Sequence, residues 1–196
     1  MSSVRVSKQC ALIVVDVQND FCPGGALPVP EGDKIVPVIN NYIDLFRNAG
    51  AFIFFTRDWH PKDHISFRSY GGMWPPHCIQ NTWGAAFHPA LKVGDEDIII
   101  SKGVEKSKEA YSAFEGTDLD ERLKRLNIEK VFVCGLATDY CVKHTVLDGL
   151  KRGYRVYLLE DAVRGVDVNE GDSLRAIEEM VKAGAVEISL KHLKVI

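Results

Sequence analysis

The chain has 196 residues, a length typical of one globular unit, and we expect a single domain over residues 1 to 196. Apolar residues make up 46% and charged residues 26%, with a formal net charge of −3, which excludes a disordered chain and a basic nucleic-acid-binding protein. No apolar run approaches the roughly 20 residues that cross a bilayer, so neither nucleic acid nor a membrane is an expected partner.

Apolar runs and helical stripes alternate along the chain. The runs predict buried parallel strands at residues 11–15, 51–55, 98–100, 131–134 and 155–159, with a weaker one at 186–190. Between most of them, apolar residues recur at helical spacing within residues 35–46, 119–126, 142–150 and 174–181. Asp33 is a candidate N-cap of the first helix, and Gly50 lies just past its end. The alternation predicts an α/β fold with a mainly parallel sheet and helices on both faces.

Residues 57–97 interrupt this alternation and show no clear period. The segment holds all three tryptophans and four of the six histidines: Trp59, Trp74, Trp83, His60, His64, His77 and His88. Because exposed tryptophans are costly and long loops in compact domains are usually functional, we expect the segment to fold back and wall a pocket.

Polar side chains follow four of the predicted strands. Asp16 follows the first, Asp58 and His60 the second, Lys102 the third, and Cys141 comes shortly after the fourth. Ligands of open parallel sheets bind outside the carboxyl ends of the strands, so these groups are expected at one edge. Each residue alone would be an ordinary cap, surface group or core cysteine, and only their coincidence indicates a site.

Cys141 is a candidate nucleophile. With Thr138 as N-cap, it would lie in the first turn of a helix, where the dipole and free N–H groups favour a thiolate. Asp16 can accept the thiol proton, and Lys102 can stabilise the negative charge. His144 lies on the same helix, but we interpret it as a surface residue.

The other four cysteines have less specific settings. Cys10 and Cys134 lie in or beside predicted strands and are expected to be buried packing groups. Cys22 and Cys78 lie in loops and are candidates for the border of the pocket. The odd number of cysteines without a CxxC pair, and a start that lacks the apolar core of a signal peptide, predict reduced thiols in a cytoplasmic protein.

Asp58 and His60 are candidate metal ligands. On an extended segment, residues two apart project to the same side, and a carboxylate with an imidazole suits a divalent metal. Spacing alone leaves the third ligand open among His64, His77 and His88. Histidines that are merely satisfied by hydrogen bonds in a loop are the alternative.

The polar motifs together resemble a known family. In chain order they are ALIVVDVQNDFCPGGALPVPEGDKIVP, TRDWHPKDHISF, WPPHCIQNT, ISKG, EAYSAFEGTDL and VCGLATDYCVKHT. This combination is similar to the nicotinamidases among the isochorismatase-like cysteine hydrolases. The resemblance implies a three-layer α/β/α sandwich with a six-stranded sheet, and hydrolysis of nicotinamide to nicotinate and ammonia through a thioester, feeding NAD salvage. Pyrazinamide is implied as an analogue substrate.

The resemblance also implies roles for individual residues. The catalytic triad falls on Asp16, Lys102 and Cys141. The backbone N–H groups of Ala137 and Cys141 would form an oxyanion hole, after a cis peptide bond between Leu136 and Ala137.

The implied ligand-binding residues lie on the interrupting segment and around it. Phe21, Trp74 and Tyr111, with Ala137, are implied substrate contacts. The metal, zinc or alternatively iron or manganese, falls on Asp58, His60 and His77, with Ser66 as a candidate further ligand.

Three alternatives to this function differ in what they require of Cys141. A sibling hydrolase would act on another small amide or on isochorismate, although the latter reaction needs no cysteine. An inactive binding protein would not need the intact Asp16, Lys102 and Cys141. A thiol redox protein is disfavoured because there is no CxxC motif. The sequence leaves a homo-oligomer open.

Overall fold

Eight strands form two parallel sheets in the structure, a computed structural model that describes residues 3 to 195. The strands are β1 (Val4–Val6), β2 (Cys10–Val15), β3 (Phe52–Asp58), β4 (Ile98–Lys102), β5 (Lys130–Leu136), β6 (Arg155–Arg164), β7 (Val186–Ile188) and β8 (Leu193–Val195). Six of them form the main sheet in the order β4-β3-β2-β5-β6-β7, with every neighbouring pair parallel. The predicted strands are confirmed. Four extend further toward their carboxyl ends, to Asp58, Lys102, Leu136 and Arg164, whereas the last ends earlier than predicted, at Ile188.

The helices cover both faces of the main sheet. They are α1 (Val36–Asn48), α2 (Leu119–Arg125), α3 (Lys143–Lys151) and α4 (Asp172–Lys182). Leu12 and Val14 of β2 belong to the core on the α1 side, whereas Ile13 and Val15 belong to the core beneath α2, α3 and α4. Because β2 is buried on both faces, it is apolar throughout instead of alternating. The predicted three-layer α/β/α sandwich is confirmed.

The pairing of β1 with β8 was not predicted. Val4 pairs with Leu193 and Val6 with Val195, which joins the two ends of the described chain in a two-stranded parallel sheet. A three-residue strand with charged neighbours carries too short a pattern to be recognised from sequence.

Two predicted helix caps are wrong, although the helices are present. A 3₁₀ turn over Gly32–Ile35 precedes α1, so Asp33 lies inside a helical turn and does not cap one; Pro37 lies in the first turn of α1. Gly50 has a φ of 64° just past α1, as predicted. The predicted cap Thr138 also lies inside a helix, the π-helical turn Thr138–Val142. Ala137 is the residue that precedes this turn, and its carbonyl accepts hydrogen bonds from the N–H groups of Tyr140 and Val142.

The interrupting segment walls the site only in part. Trp74 is buried, as predicted, but Trp83 is 64% exposed, so the argument from tryptophan burial fails for it. Trp59 is half-buried, with the Arg57 guanidinium 3.7 Å from its ring centroid. Within residues 3 to 195, no helix combines the length and apolar character needed to cross a membrane. That the chain is a single domain stays a prediction.

Candidate active site

The carboxyl ends of β2, β4 and β5 bring Asp16, Lys102 and Cys141 together. Lys102 Nζ lies 2.8 Å from Asp16 Oδ2 and 3.4 Å from Cys141 Sγ. All three side chains are buried. Strand ends that are distant in sequence thus form one compact polar cluster, as the alternation of strands and helices predicted.

Asp16 is fixed at one carboxylate oxygen, and its carboxylate lies close to the thiol of Cys141. Thr56 Oγ1 donates a 2.6 Å hydrogen bond to Asp16 Oδ1, and the Asp16 backbone, at a φ of 48°, donates to the Thr56 carbonyl. Oδ2 has no hydrogen-bond partner of good geometry, although Lys102 Nζ lies near it, and the Asp16 carboxylate has an oxygen within 4.8 Å of Cys141 Sγ. The carboxylate is therefore placed to receive a proton from the thiol.

Lys102 is a fully buried cation between two carboxylates. Its Nζ is 2.5 Å from Asp58 Oδ1 in addition to its contact with Asp16. Burial alone would lower the pKa of Lys102, but Asp16 and Asp58 raise it well above its usual value. Burial would likewise raise the pKa of Asp58, yet Lys102 and His60 hold it well below its usual range. Burial dominates at Asp16 and raises its pKa.

The surroundings of Cys141 favour the protonated thiol, in contrast to the thiolate that the helix start alone suggests. Burial raises its pKa well above the usual value, Lys102 opposes this, and Asp16 and Asp58 add to it. Cys141 does lie at the start of a helix, but one ammonium group facing two carboxylates does not compensate for the loss of solvent. The nucleophile therefore needs a proton acceptor within the site.

The remaining cysteines and His144 are outside this cluster. Cys10 and Cys134 are buried in the core, as predicted. Cys22 and Cys78 are buried in the same core and do not line the pocket; burial raises the pKa of Cys22 to about 11. His144 is exposed, as predicted, and stacks on Tyr111 with ring centroids 5.3 Å apart.

Asp58, His60 and His77 direct one ligand atom each to a common point. Asp58 Oδ2 lies 3.5 Å from His60 Nε2 and 3.9 Å from His77 Nε2. The Nδ1 atoms donate to backbone carbonyls, His60 to Gly103 at 2.8 Å and His77 to Pro75 at 2.7 Å, which leaves both Nε2 lone pairs free. Two imidazoles with oriented Nδ1–H groups and one carboxylate are a donor set that fits a divalent transition metal.

The other candidate ligands are engaged elsewhere. His64 stacks on His60, and its two ring nitrogens face Ser66 Oγ at 2.7 Å and the Lys108 carbonyl at 2.9 Å. His88 Nδ1 accepts the Ala90 N–H. Of the histidines that spacing left open, only His77 joins Asp58 and His60, whereas Ser66 as a further ligand stays a prediction.

An aromatic pocket opens between the metal-binding candidates and Cys141. It is lined by Phe21, Leu27, Val29, Asp58, Trp74, Tyr111, Ala137, Tyr140, Cys141 and Val166. Trp74 Nε1 donates a 3.0 Å hydrogen bond to the Tyr111 hydroxyl, whose pKa burial raises to about 12. The free volume is about 30 Å³, so the pocket is narrow.

All four substrate-binding candidates line this pocket, together with four residues that were not predicted. Tyr140 could have been found, because it precedes Cys141 at the helix start. Leu27, Val29 and Val166 carry no polar signal, so their place in the wall depends on how the loops pack.

The backbone around the thiol also agrees with the resemblance. The peptide bond between Leu136 and Ala137 is cis. Ala137 borders the pocket, and Cys141 follows in the first turn of a helix, where N–H groups have no partner within the helix. These groups are candidates for binding an oxyanion.

A buried thiol, carboxylate and amine at one edge of the parallel sheet of an α/β/α sandwich define the class of the protein as a cysteine hydrolase. The chain belongs to the isochorismatase family, since the profile of the isochorismatase domain matches residues 10–191. It is 43% identical to the nicotinamidase of Escherichia coli K12, over 92% of this chain and 94% of that protein.

Two solved structures share both the fold and much of the sequence. One is the pyrazinamidase of Pyrococcus horikoshii in complex with zinc, with a TM-score of 0.89 and 54% identity over 93% of this chain and 99% of that one. The other is an L. infantum protein in complex with nicotinate, with a TM-score of 0.90 and 36% identity over 98% of each chain. The chain is therefore an amidohydrolase of this family that acts on a small molecule.

Proposed function

We propose that the chain is a nicotinamidase, which hydrolyses nicotinamide to nicotinate and ammonia and so feeds NAD salvage. The observation that carries this proposal is the position of Lys102, whose Nζ contacts both Asp16 beside the thiol and Asp58 of the ligand set. A nucleophile and a metal-binding group thus border one aromatic pocket. The nicotinamidase from Escherichia coli and the nicotinate complex of the L. infantum protein support the choice of a pyridine carboxamide.

Covalent catalysis begins with transfer of the Cys141 thiol proton to Asp16. The sulfur attacks the carboxamide carbon, and the N–H groups of Ala137 and Cys141 stabilise the negative oxygen, each such donor being worth about 3 kcal/mol of barrier. Asp16 then gives its proton to the amide nitrogen, the C–N bond breaks and ammonia leaves. Water hydrolyses the resulting thioester, which releases nicotinate and restores the thiol. Lys102 stays protonated and offsets the charges of Asp16 and the thiolate.

Asp58, His60 and His77 would hold the divalent metal, and zinc is our proposal because of the Pyrococcus horikoshii complex. When bound, it supplies a Lewis acid for the pyridine nitrogen and so orients the ring. Phe21, Trp74 and Tyr111 line the pocket that would receive the ring. The cytoplasm is the proposed setting.

Replacing the nucleophile tests the mechanism directly. Cys141→Ala is expected to lower the rate of ammonia release from nicotinamide by about 10⁴-fold or more, because water would have to attack an unactivated amide. Zinc content should stay unchanged, since Cys141 is not in the ligand set. Cys134→Ala is the matched control, because it removes a buried thiol outside the pocket and should retain near-normal turnover at 25 °C.

A substrate panel tests the assignment. Nicotinamide, pyrazinamide and an aliphatic amide should be compared by ammonia release on the same zinc-analysed sample. The two ring carboxamides are expected to react much faster than the aliphatic amide. A preference for the aliphatic amide, or normal rates in Cys141→Ala, would contradict the proposal.

A further inference from the structure

Asp20 is a buried carboxylate that the proposed chemistry does not use. It lies in a 3₁₀ turn, Asn19–Phe21, beside the pocket wall, and is 8% exposed. Its Oδ2 accepts the Cys78 N–H at 2.7 Å, and its Oδ1 accepts the Ala26 N–H at 3.0 Å. One side chain therefore connects the turn after β2 to two separate loops.

The first of these loops carries a candidate metal ligand. Cys78 directly follows His77 and has a φ of 45°, a left-handed conformation that costs a non-glycine residue roughly 1 kcal/mol or more. Its N–H is held by Asp20, and its carbonyl accepts the His60 N–H at 3.0 Å. The backbone of Cys78, directly after His77, is thus held between Asp20 and His60. Hydrogen bonds to a charged acceptor, such as a carboxylate, are stronger than those between neutral groups.

The second loop carries part of the pocket wall. The Asp20 carbonyl accepts the Leu27 N–H at 2.9 Å, and Leu27 lines the pocket. Close packing surrounds the carboxylate: a Cβ at Gly84 would overlap it, and the Asp20 N–H donates to the Gly84 carbonyl at 3.0 Å. The carboxylate consequently has one position, and the hydrogen bonds on both sides depend on it.

We propose that Asp20 is a positioning residue for the metal site, which holds His77 in register with Asp58 and His60 by fixing the His77–Cys78 backbone. This inference depends on the proposed metal site. It differs from the orientation of the imidazole by the Pro75 carbonyl, because Asp20 acts on the main chain of the loop and not on the ring.

Zinc affinity of metal-stripped, refilled protein tests the role of Asp20. Removal of such supporting partners typically lowers metal affinity about 10- to 100-fold, so Asp20→Ala should weaken zinc binding by that factor in a chelator competition. Asp139→Ala is the matched control. Asp139 is also 8% exposed and accepts two backbone N–H groups, from Val166 and Asp167, on a loop without metal ligands. Its zinc affinity should stay within about threefold of the unaltered chain.

Two further variants separate positioning from loss of folding. Asp20→Asn keeps one acceptor oxygen and should fall between the unaltered chain and Asp20→Ala. Gly84→Ala leaves Asp20 in place but displaces its carboxylate, so it should also weaken zinc binding. The visible spectrum of the cobalt-substituted proteins reports the ligand geometry and should change in Asp20→Ala but not in Asp139→Ala.

The outcomes distinguish the two proposals. Equal zinc affinity in the unaltered chain, Asp20→Ala and Gly84→Ala would overturn the role of Asp20 while leaving the metal site standing. An equal loss in Asp139→Ala would also overturn it, because the effect would then be general destabilisation. An unaltered chain that binds no zinc and no cobalt would overturn the metal site itself, and the role of Asp20 with it.

Discussion

A single ammonium group, that of Lys102, stands between two carboxylates and a thiol in a space closed to solvent. Removing one partner of a buried ion pair is costly because it leaves the other charge uncompensated, so the cluster is coupled. Together with burial, the two carboxylates raise the pKa of Cys141, and Asp16 is the carboxylate beside the thiol that can accept its proton. At the residue scale, we therefore expect the nucleophile to rest as a protonated thiol.

The pH dependence of alkylation measures this protonation state. Because the pKa of Cys141 is raised well above its usual value, its reaction with iodoacetamide should rise continuously as pH increases through 7 to 9, roughly the range of an ordinary thiol, without reaching a plateau. Mass spectrometry of the chelator-treated protein locates the label. Cys141→Ala shows the background from the other four thiols, which are buried.

A plateau at or below about pH 7 would contradict this expectation. It would mean that the start of the helix and Lys102 outweigh burial and the two carboxylates, as the sequence suggested.

Strands β2 and β5 hold the residues of the site close together because the backbones at their carboxyl ends are in direct contact. Gly135 of β5 pairs with Val15 of β2, has a φ of 113°, and leaves no room for a Cβ beside the Val15 backbone. Asp16 follows one of these strands and Ala137 the other. At the scale of elements, the close approach of β2 and β5 therefore sets the distance between the proposed base and the proposed oxyanion hole.

Gly135→Ala tests this close approach. The added methyl group must displace a strand and also adopt a positive φ, so we expect a loss of at least about 3 kcal/mol in the free energy of unfolding, measured by urea denaturation. Gly50→Ala is the control, because its φ is also positive but a Cβ there makes only ordinary contacts; its loss should be about 1 to 2 kcal/mol. Equal losses would show that the backbone contact does not matter.

The metal site ties the loop that carries His77 to the end of the main sheet, because Asp58 is the last residue of β3. A metal that binds only the folded chain stabilises it by mass action, about 2.7 kcal/mol at a free concentration of 100 times the dissociation constant. At the scale of the whole molecule, metal occupancy and folding are thus expected to be coupled.

Thermal denaturation with and without zinc measures that coupling. Zinc at this concentration should raise the Tm by about 5 to 10 °C, and Asp58→Ala should show no such increase. Since zinc needs unprotonated imidazoles and the Asp58 charge raises the pKa of His60 despite burial, the stabilisation should be complete above that pKa and decline as pH falls through it. An increase that grows with falling pH would contradict this.

The sequence by itself determined the layers of the fold and the members of the Asp16–Lys102–Cys141 cluster. The layers could be predicted because the periodicity of apolar residues is a local property of the sequence. The cluster could be predicted because all strands of a parallel sheet end at the same edge, so the residues that follow them lie close together. The third ligand, His77, came from the family resemblance, because the spacing of residues in a loop does not fix where their side chains point. The helix caps at Asp33 and Thr138 and the burial of Trp83 were predicted wrongly.

Only the tertiary structure decided the electrostatic surroundings of Cys141, the apolar wall of the pocket and the hydrogen bonds of Asp20. Each depends on contacts between segments that are far apart in sequence. The pKa of Cys141 depends on Lys102 and two carboxylates, the pocket wall includes both Ala137 and Val166, and Asp20 accepts a hydrogen bond from the backbone after His77. Burial and electrostatic interaction are properties of such neighbours and not of residue type. The reactive groups of the site could therefore be predicted from the sequence. The pKa shifts of these groups, and the hydrogen bonds that hold the loop after His77, could not.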